Sequence, residues 1–192
     1  NLQTVSRARR VGEIVYDLGN DLYCAMLDKR LNYTCGYWKN ATTLDEAQEA
    51  KLDLVCKKIG LKPGMDVLEF GCGWGSFASY AAEKYGAHVV GVTISKEQLS
   101  FAERVCKGLP VELRFQDYRD VYGQFDAIIS IGMLEHVGYK NYGTYMQVVE
   151  RCLKDDGVAL IHCIGNNQSM TMGEAWGAKY IFPNGLLPSI AQ

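Results

Sequence analysis

The chain has 192 residues, 48% of them hydrophobic, and a formal net charge of −2. That length suits one domain with a sizeable core plus an N-terminal extension rather than two full domains, and the balance of charge gives no global basic signature for a nucleic-acid partner. The seven cysteines are odd in number and never in C-x-x-C spacing, which argues against both a disulfide framework and a zinc site and leaves no metal expected. Reduced thiols point to a cytoplasmic setting, with six cysteines expected as small core hydrophobes and Cys35 set apart by its surroundings. No run of about eighteen apolar residues and no signal-peptide core is present, so neither a membrane span nor export is expected.

Taken in order, residues 5–26 are polar with recurring apolar positions, compatible with short helices around the loop at 16–21. Arg7, Arg9 and Arg10 with Lys29 and Arg30 form a basic cluster able to dock on an anionic lipid surface, a solvated helix face being the alternative. An aromatic segment, LNYTCGYWKN, follows at 31–40. Thr43 and Glu46 make a capping box, and the helix they start runs through Leu52, Val55 and Ile59 to a stop at Gly60. After the turn residues Lys62, Pro63 and Gly64, the apolar run of VLEFGCGWGS at 67–76 reads as a buried parallel strand breaking into a loop. Beyond it the pattern predicts a helix at 77–85, a strand at 88–94, a helix at 96–107 and strands at 110–115 and 125–131. A helix at 141–153 and a strand at 157–164 complete it. Such alternation implies a parallel sheet with crossover helices on both faces, and ligands in such sheets sit outside the carboxyl ends of the strands.

Gly71, Gly73 and Gly75 let the backbone turn tightly and approach a ligand, and the helix after them offers free N–H groups. A dinucleotide fingerprint is disfavoured, because Ser76 stands where G-x-G-x-x-G needs its last glycine and the next strand ends in Thr93 and Ser95 without an acid. G-x-G-x-G after a strand is the usual opening of the S-adenosylmethionine-dependent methyltransferase fold. From the glycines alone, a purely structural turn stays open.

Longer blocks carry a more specific resemblance. YDLGNDLY at 16–23, YTCGYWK at 33–39, GVTISKEQ at 91–98, EHVGYKNY at 135–142 and KYIFPNG at 179–185 resemble the cyclopropane-fatty-acyl-phospholipid synthases, to which the mycolic acid cyclopropane synthases are related. The resemblance covers essentially the whole chain. Val15 and Glu69 depart from the more frequent His and Asp. The resemblance implies a Rossmann-like class I methyltransferase fold, α/β with a mostly parallel sheet and helices on both faces. An N-terminal helical lid at 1–60 would precede the S-adenosylmethionine-binding domain at 61–192. No closing antiparallel hairpin follows the last strand, so a missing C-terminal part is expected.

The implied reaction moves a methyl(ene) group from S-adenosylmethionine to the cis double bond of an unsaturated fatty acyl chain of a phospholipid and closes a cyclopropane ring. A bound bicarbonate takes the proton. By resemblance it is held by Cys35, Glu135, His162 and the backbone of Ile164, with a Tyr that would fall beyond Gln192. The cofactor residues implied are Tyr33 and Thr34 at the methionine end, Gly71, Gly73 and Gly75 in the loop, Thr93 and Gln98 by the ribose, and Asp117 and Tyr118 by the adenine. Asp117 reads equally well as a loop cap. Tyr16, Tyr23, Tyr33 and Trp38 offer faces to a cation, simple lid packing being the alternative. His136 and His88 are expected as structural and surface residues, and a core role for His162 stays open without the family match. The partner implied is an acyl chain at a membrane surface, which makes the protein cytoplasmic and peripherally membrane-associated, with a homodimer left open. A related methyltransferase acting on a small amine or hydroxyl is the alternative, and a non-catalytic cofactor-binding or lipid-surface module a third.

Overall fold

A computed structural model of the protein describes residues 3–4, 15–17 and 19–192. Arg7, Arg9, Arg10 and the helices expected within 5–14 lie outside the described residues. The elements are α1 (Asp21–Met26), α2 (Leu44–Lys58), β1 (Asp66–Phe70), α3 (Ser76–Tyr85), β2 (His88–Thr93), α4 (Lys96–Val105), β3 (Val111–Phe115), β4 (Phe125–Ile131), α5 (Leu134–Val137), α6 (Tyr142–Cys152), β5 (Leu153–His162) and α7 (Ala175–Tyr180).

The five strands form one sheet in the order β3-β2-β1-β4-β5, every neighbouring pair parallel. Parallel neighbours need crossover connections, and α3, α4 and α6 supply them. Because successive side chains of a strand point to opposite faces, β1 feeds two cores. Val67 packs with Val55, Phe77, Ala81, Val89 and Ile129 on the α2 and α3 side. Leu68 and Phe70 pack with Ile128, Tyr145, Val148 and Cys152 on the α6 side. Both faces are covered, which is why β1 reads as a continuous apolar run.

The capping box at Thr43 and Glu46 starts α2 as expected, and Lys57 and Lys58 in its last turn oppose the negative end of the helix. Lys29 pairs with Glu49, and Arg30 with Glu49 and Glu83, so the described part of the basic cluster is committed to ion pairs within the protein. His88 is at the surface as expected, 3.4 Å from Asp66. Cys56, Cys72, Cys106 and Cys152 are buried, whereas Cys24 on the short α1 is exposed and Cys163 half-buried, correcting the expectation of six core thiols.

The last strand differs most from expectation. It begins at Leu153, directly after α6, and ends at His162, not 157–164. Phe125 pairs with Leu153 but Ala127 with Val158, so the turn-like residues 154–157 bulge out of register where a loop would stand. Lys154 anchors the bulge through Asp126 at 2.7 Å.

Gly91 shows how tightly the glycine loop lies against the sheet. A Cβ there would stand 2.8 Å from Cys72 Cβ and 2.9 Å from Leu113 Cδ2. Overpacking of this kind costs about 1–3 kcal/mol, so Gly91→Ala is expected to lower the unfolding free energy by that amount, read in equilibrium urea unfolding as a lower midpoint with an unchanged m-value.

Candidate active site

The chain runs from β1 outward to β3 and then returns to place β4 on the other side of β1. The loops leaving β1 and β4 therefore diverge, and a cavity opens between them, as at the switch points of open α/β sheets. It is lined by 71–74 after β1, 93–95 and Gln98 after β2, 116–119 after β3 and 131–133 after β4. Tyr16, residues 31–34 and Lys51 close it from the N-terminal side.

Of the cofactor residues expected, Tyr33, Thr34, Gly71, Gly73, Thr93, Gln98, Asp117 and Tyr118 all border this cavity. Gly75 does not. It sits at the start of α3 with φ +82°, and a Cβ there would lie 3.1 Å from both Ala102 Cβ and Cys106 Sγ, so packing against α4 explains it. Thr93 Oγ1 lies 3.2 Å from Gln98 Oε1, and Gln98 N–H is held by Ser95 Oγ. The Asp117 carboxylate accepts from the Arg119 backbone N–H and from its guanidinium at 2.8 and 2.7 Å, so it caps the short turn at 118–120 as well as facing the cavity.

The YDLGNDLY block docks over this mouth. Asp17 Oδ1 accepts from Ser95 Oγ at 2.6 Å, and Asn20 Oδ1 from Trp74 Nε1 at 2.7 Å. Tyr16, Tyr23, Tyr33, Trp74, His136 and Phe182 then form a continuous set of ring contacts with centroids 4.7–6.4 Å apart. Trp38 contributes no ring to it and is exposed, while Trp74 and Phe182, which sequence reading did not single out, do. Tyr16 OH lies 3.3 Å from His136 Nε2. Burial pushes the Tyr16 hydroxyl well above its usual range and the His136 imidazole down to about 4, so both stay neutral.

Beside the cavity, the parallel pairing of β4 with β5 brings the other predicted group together. Ile131 and His162 are in register, and Gly132 N–H donates to His162 O at 2.9 Å. Cys35 Sγ lies 3.6 Å from His162 Nε2. The buried Glu135 takes the Ile164 backbone N–H on Oε1 at 2.7 Å. Ile164 is beyond the end of β5 instead of within the strand as predicted, which frees its N–H from the sheet for Glu135. Burial holds the His162 imidazole below its usual value, Lys51 adding to this and Glu135 opposing it. Among the described residues Glu135 Oε2 and His162 Nδ1 are buried without a partner, two polar atoms in want of a ligand.

Two buried charged-type residues that are not among the expected site residues also line the cavity. Lys51 comes from α2 and Glu69 from β1, and both are buried. A carboxylate on a strand that otherwise reads as apolar was the available signal for Glu69; Lys51 was hidden in an ordinary amphipathic helix.

A parallel sheet with a glycine loop and a cavity at the reversal of strand order, matched by solved methyltransferase-fold structures, is that of the class I S-adenosylmethionine-dependent methyltransferases with the five strands seen here. A sequence profile of the mycolic acid cyclopropane synthetase family matches residues 3–192, and the chain belongs to that family. It is 54% identical over 192 residues to the cyclopropane-fatty-acyl-phospholipid synthase of Escherichia coli (strain K12), covering 100% of this chain and 50% of that protein. The chain thus spans about half the length of that relative. The cyclopropane synthase MmaA2 from Mycobacterium tuberculosis matches with a TM-score of 0.88 at 31% identity, over 95% of this chain and 70% of that one. The mycolic acid cyclopropane synthase CmaA1 complexed with SAH and CTAB matches with a TM-score of 0.86 at 33% identity and the same coverage.

The Asp117–Arg119 pair lends itself to a direct test. Its carboxylate is 4% exposed and its guanidinium 17%. Removing one partner of a buried pair costs several kcal/mol, less where water reaches it, so Arg119→Met is expected to destabilise the fold by about 2 kcal/mol in urea unfolding.

Proposed function

We propose that the protein to which this chain belongs transfers a methyl(ene) group from S-adenosylmethionine to the cis double bond of an unsaturated fatty acyl chain of a phospholipid, forming a cyclopropane ring, with bicarbonate as proton acceptor. The observation that carries this reading is the adjacency of the cavity and the polar cluster along shared backbone. Thr34 and Met133 line the cavity, and Cys35 and Glu135, one and two residues further on, face His162 and Ile164. High identity to a relative named for fatty-acyl-phospholipid favours that acyl class.

The residues present fit the cofactor. All of them line the cavity: Thr93 and Gln98 offer a hydroxyl and an amide suited to ribose hydroxyls, Tyr33, Thr34, Gly71 and Gly73 would border the methionine end, and Asp117 and Tyr118 the adenine end. Bound there, S-adenosylmethionine supplies an electrophilic methyl group, and bicarbonate in the cradle supplies a base. An alkene is a weak nucleophile, so the chain's work is to hold reactants close and keep water from a carbocation. The ring set of Tyr16, Tyr23, Tyr33, Trp74, His136 and Phe182 suits that task, since it is neutral, apolar and rich in π-faces. Bicarbonate carries a hydroxyl proton, and Glu135 Oε2, buried and without a partner among the described residues, can accept it. In this reading the segment 1–60 is the lid of the domain at 61–192, docked over the cavity mouth by Asp17 and Asn20, while its helix α2 is built into the core. Among the described residues no helix is long and apolar enough to cross a membrane, and reaching lipid acyl chains from the cytoplasm would require peripheral contact.

The test is transfer of labelled methyl from S-adenosylmethionine into vesicles of unsaturated phospholipid by the full-length protein, with and without bicarbonate. Bicarbonate-stimulated label in the acyl chains is expected. Glu135→Gln should lower turnover at least about 100-fold, the scale of lost acid–base help, with cofactor affinity little changed. Gly73 has φ +52° and, among the described residues, only Gln98 near its Cβ position, so Gly73→Val would fill the cavity and is expected to abolish cofactor binding in calorimetry. Cofactor binding without any lipid labelling would replace this reading with a small amine or hydroxyl as the acceptor.

A further inference from the structure

Lys51 is 5% exposed, and its ammonium donates to two neutral oxygens, Asn32 Oδ1 at 2.9 Å and Thr34 Oγ1 at 2.8 Å. Among the described residues no carboxylate lies within ion-pair distance of it. A buried ammonium is costly unless an anion completes its shell. The charged groups around it do not do so. Asp28 reaches it only through Asn32, its carboxylate being taken by the Asn32 backbone and side-chain N–H groups at 2.6 and 2.9 Å and by Arg30 N–H. Glu69 faces it from β1, but burial pushes that carboxyl up to about 8 against the pull of Lys51, so at neutral pH it mostly keeps its proton. Burial moves Lys51 itself down to about 8, opposed by Asp28, Cys35 and Glu69, so the amine is mainly charged at pH 7.

The position of this cation is informative. It lines the cavity, and it is one hydrogen bond from Thr34, whose neighbour Cys35 touches His162. We propose that Lys51 is an oxyanion-binding and positioning residue, whose ammonium pairs with a small carboxylate or carbonate group delivered by a ligand and holds the 32–35 segment against it. This rests on reading the cavity as the cofactor site and the Cys35, Glu135, His162 and Ile164 cluster as a bicarbonate cradle. Two sources share the chemistry: bicarbonate, and the amino-acid carboxylate of the cofactor. Gln48, three residues earlier on the same face of α2, donates to Thr34 O at 2.7 Å, and Tyr37 N–H to Ala47 O at 2.8 Å. Those neutral bonds keep the segment docked when the charge is removed.

Calorimetry on the full-length protein separates the sources. S-adenosylhomocysteine carries the carboxylate, 5′-methylthioadenosine lacks it, and bicarbonate is titrated into protein saturated with S-adenosylhomocysteine. In Lys51→Met, methylthioadenosine should bind within about threefold of the unsubstituted protein, while affinity for S-adenosylhomocysteine, bicarbonate or both falls at least about tenfold, as for a lost charge-assisted bond. Lys51→Arg should recover most of that loss. Normal methylthioadenosine binding in Lys51→Met with both oxyanion affinities unchanged overturns the proposal. Should Lys51→Met fail to fold, the unsubstituted protein decides through pH. Oxyanion affinity should fall as pH rises through about 8, because Lys51 loses its proton while Glu69 gains charge, with Asp28, Cys35, Glu135 and His162 the other groups facing the site. A flat affinity from about pH 7 to 9.5 overturns it. If the unsubstituted protein binds no bicarbonate at any pH, the cradle reading fails, and the comparison of the two nucleosides still decides Lys51.

Discussion

The parallel pairing of β1 with β4 is the constraint on which the rest of the site depends. Val67 to Phe70 lie in register with Ala127 to Ser130, although more than fifty residues separate them. That pairing forces two loops to leave adjacent strands in opposite directions, and the gap between them is the cavity. It also sets β5 beside β4, which brings residues 162–164 against 132–135 and 35. Binding cavity and polar cluster are thus two consequences of one strand order.

A second layer of the design is the polar inner face of α2. Its apolar residues Leu52, Val55 and Cys56 enter the core, while Gln48 and Lys51 turn to the segment carrying Tyr33, Thr34 and Cys35. Gly36 makes this approach close, since a Cβ there would stand 2.9 Å from Ala47 Cβ. The helix therefore does two jobs, burying hydrocarbon on one side and fixing a site segment on the other. Burying polar groups in this way costs stability, and the hydrogen bonds of Asp28, Asn32, Gln48 and Lys51 offset it.

Much of this was legible in the sequence because local physics dictated it. The apolar run at 67–70 followed by glycines, the capping box at Thr43 and Glu46, and the alternation of helix with strand each depend on residues close together in the chain. Expectations slipped where a longer-range contact decided. Turn-like residues at 154–157 became a bulge because Phe125 pairs with Leu153, Gly75 serves packing on α4, and Trp38 stands outside the ring set that Trp74 and Phe182 complete.

By itself, then, the sequence determined the fold class, and through motif resemblance it singled out Cys35, Glu135 and His162 as candidates. Periodicity and turn chemistry act over a few residues, so they survive without knowledge of the whole. The tertiary structure alone decided that Glu135 holds the Ile164 N–H, that Cys35 meets His162, and that a buried lysine from α2 borders both the cavity and the cluster. Those facts concern side chains up to 127 positions apart, and their meeting is set by strand order and burial, which no local pattern encodes.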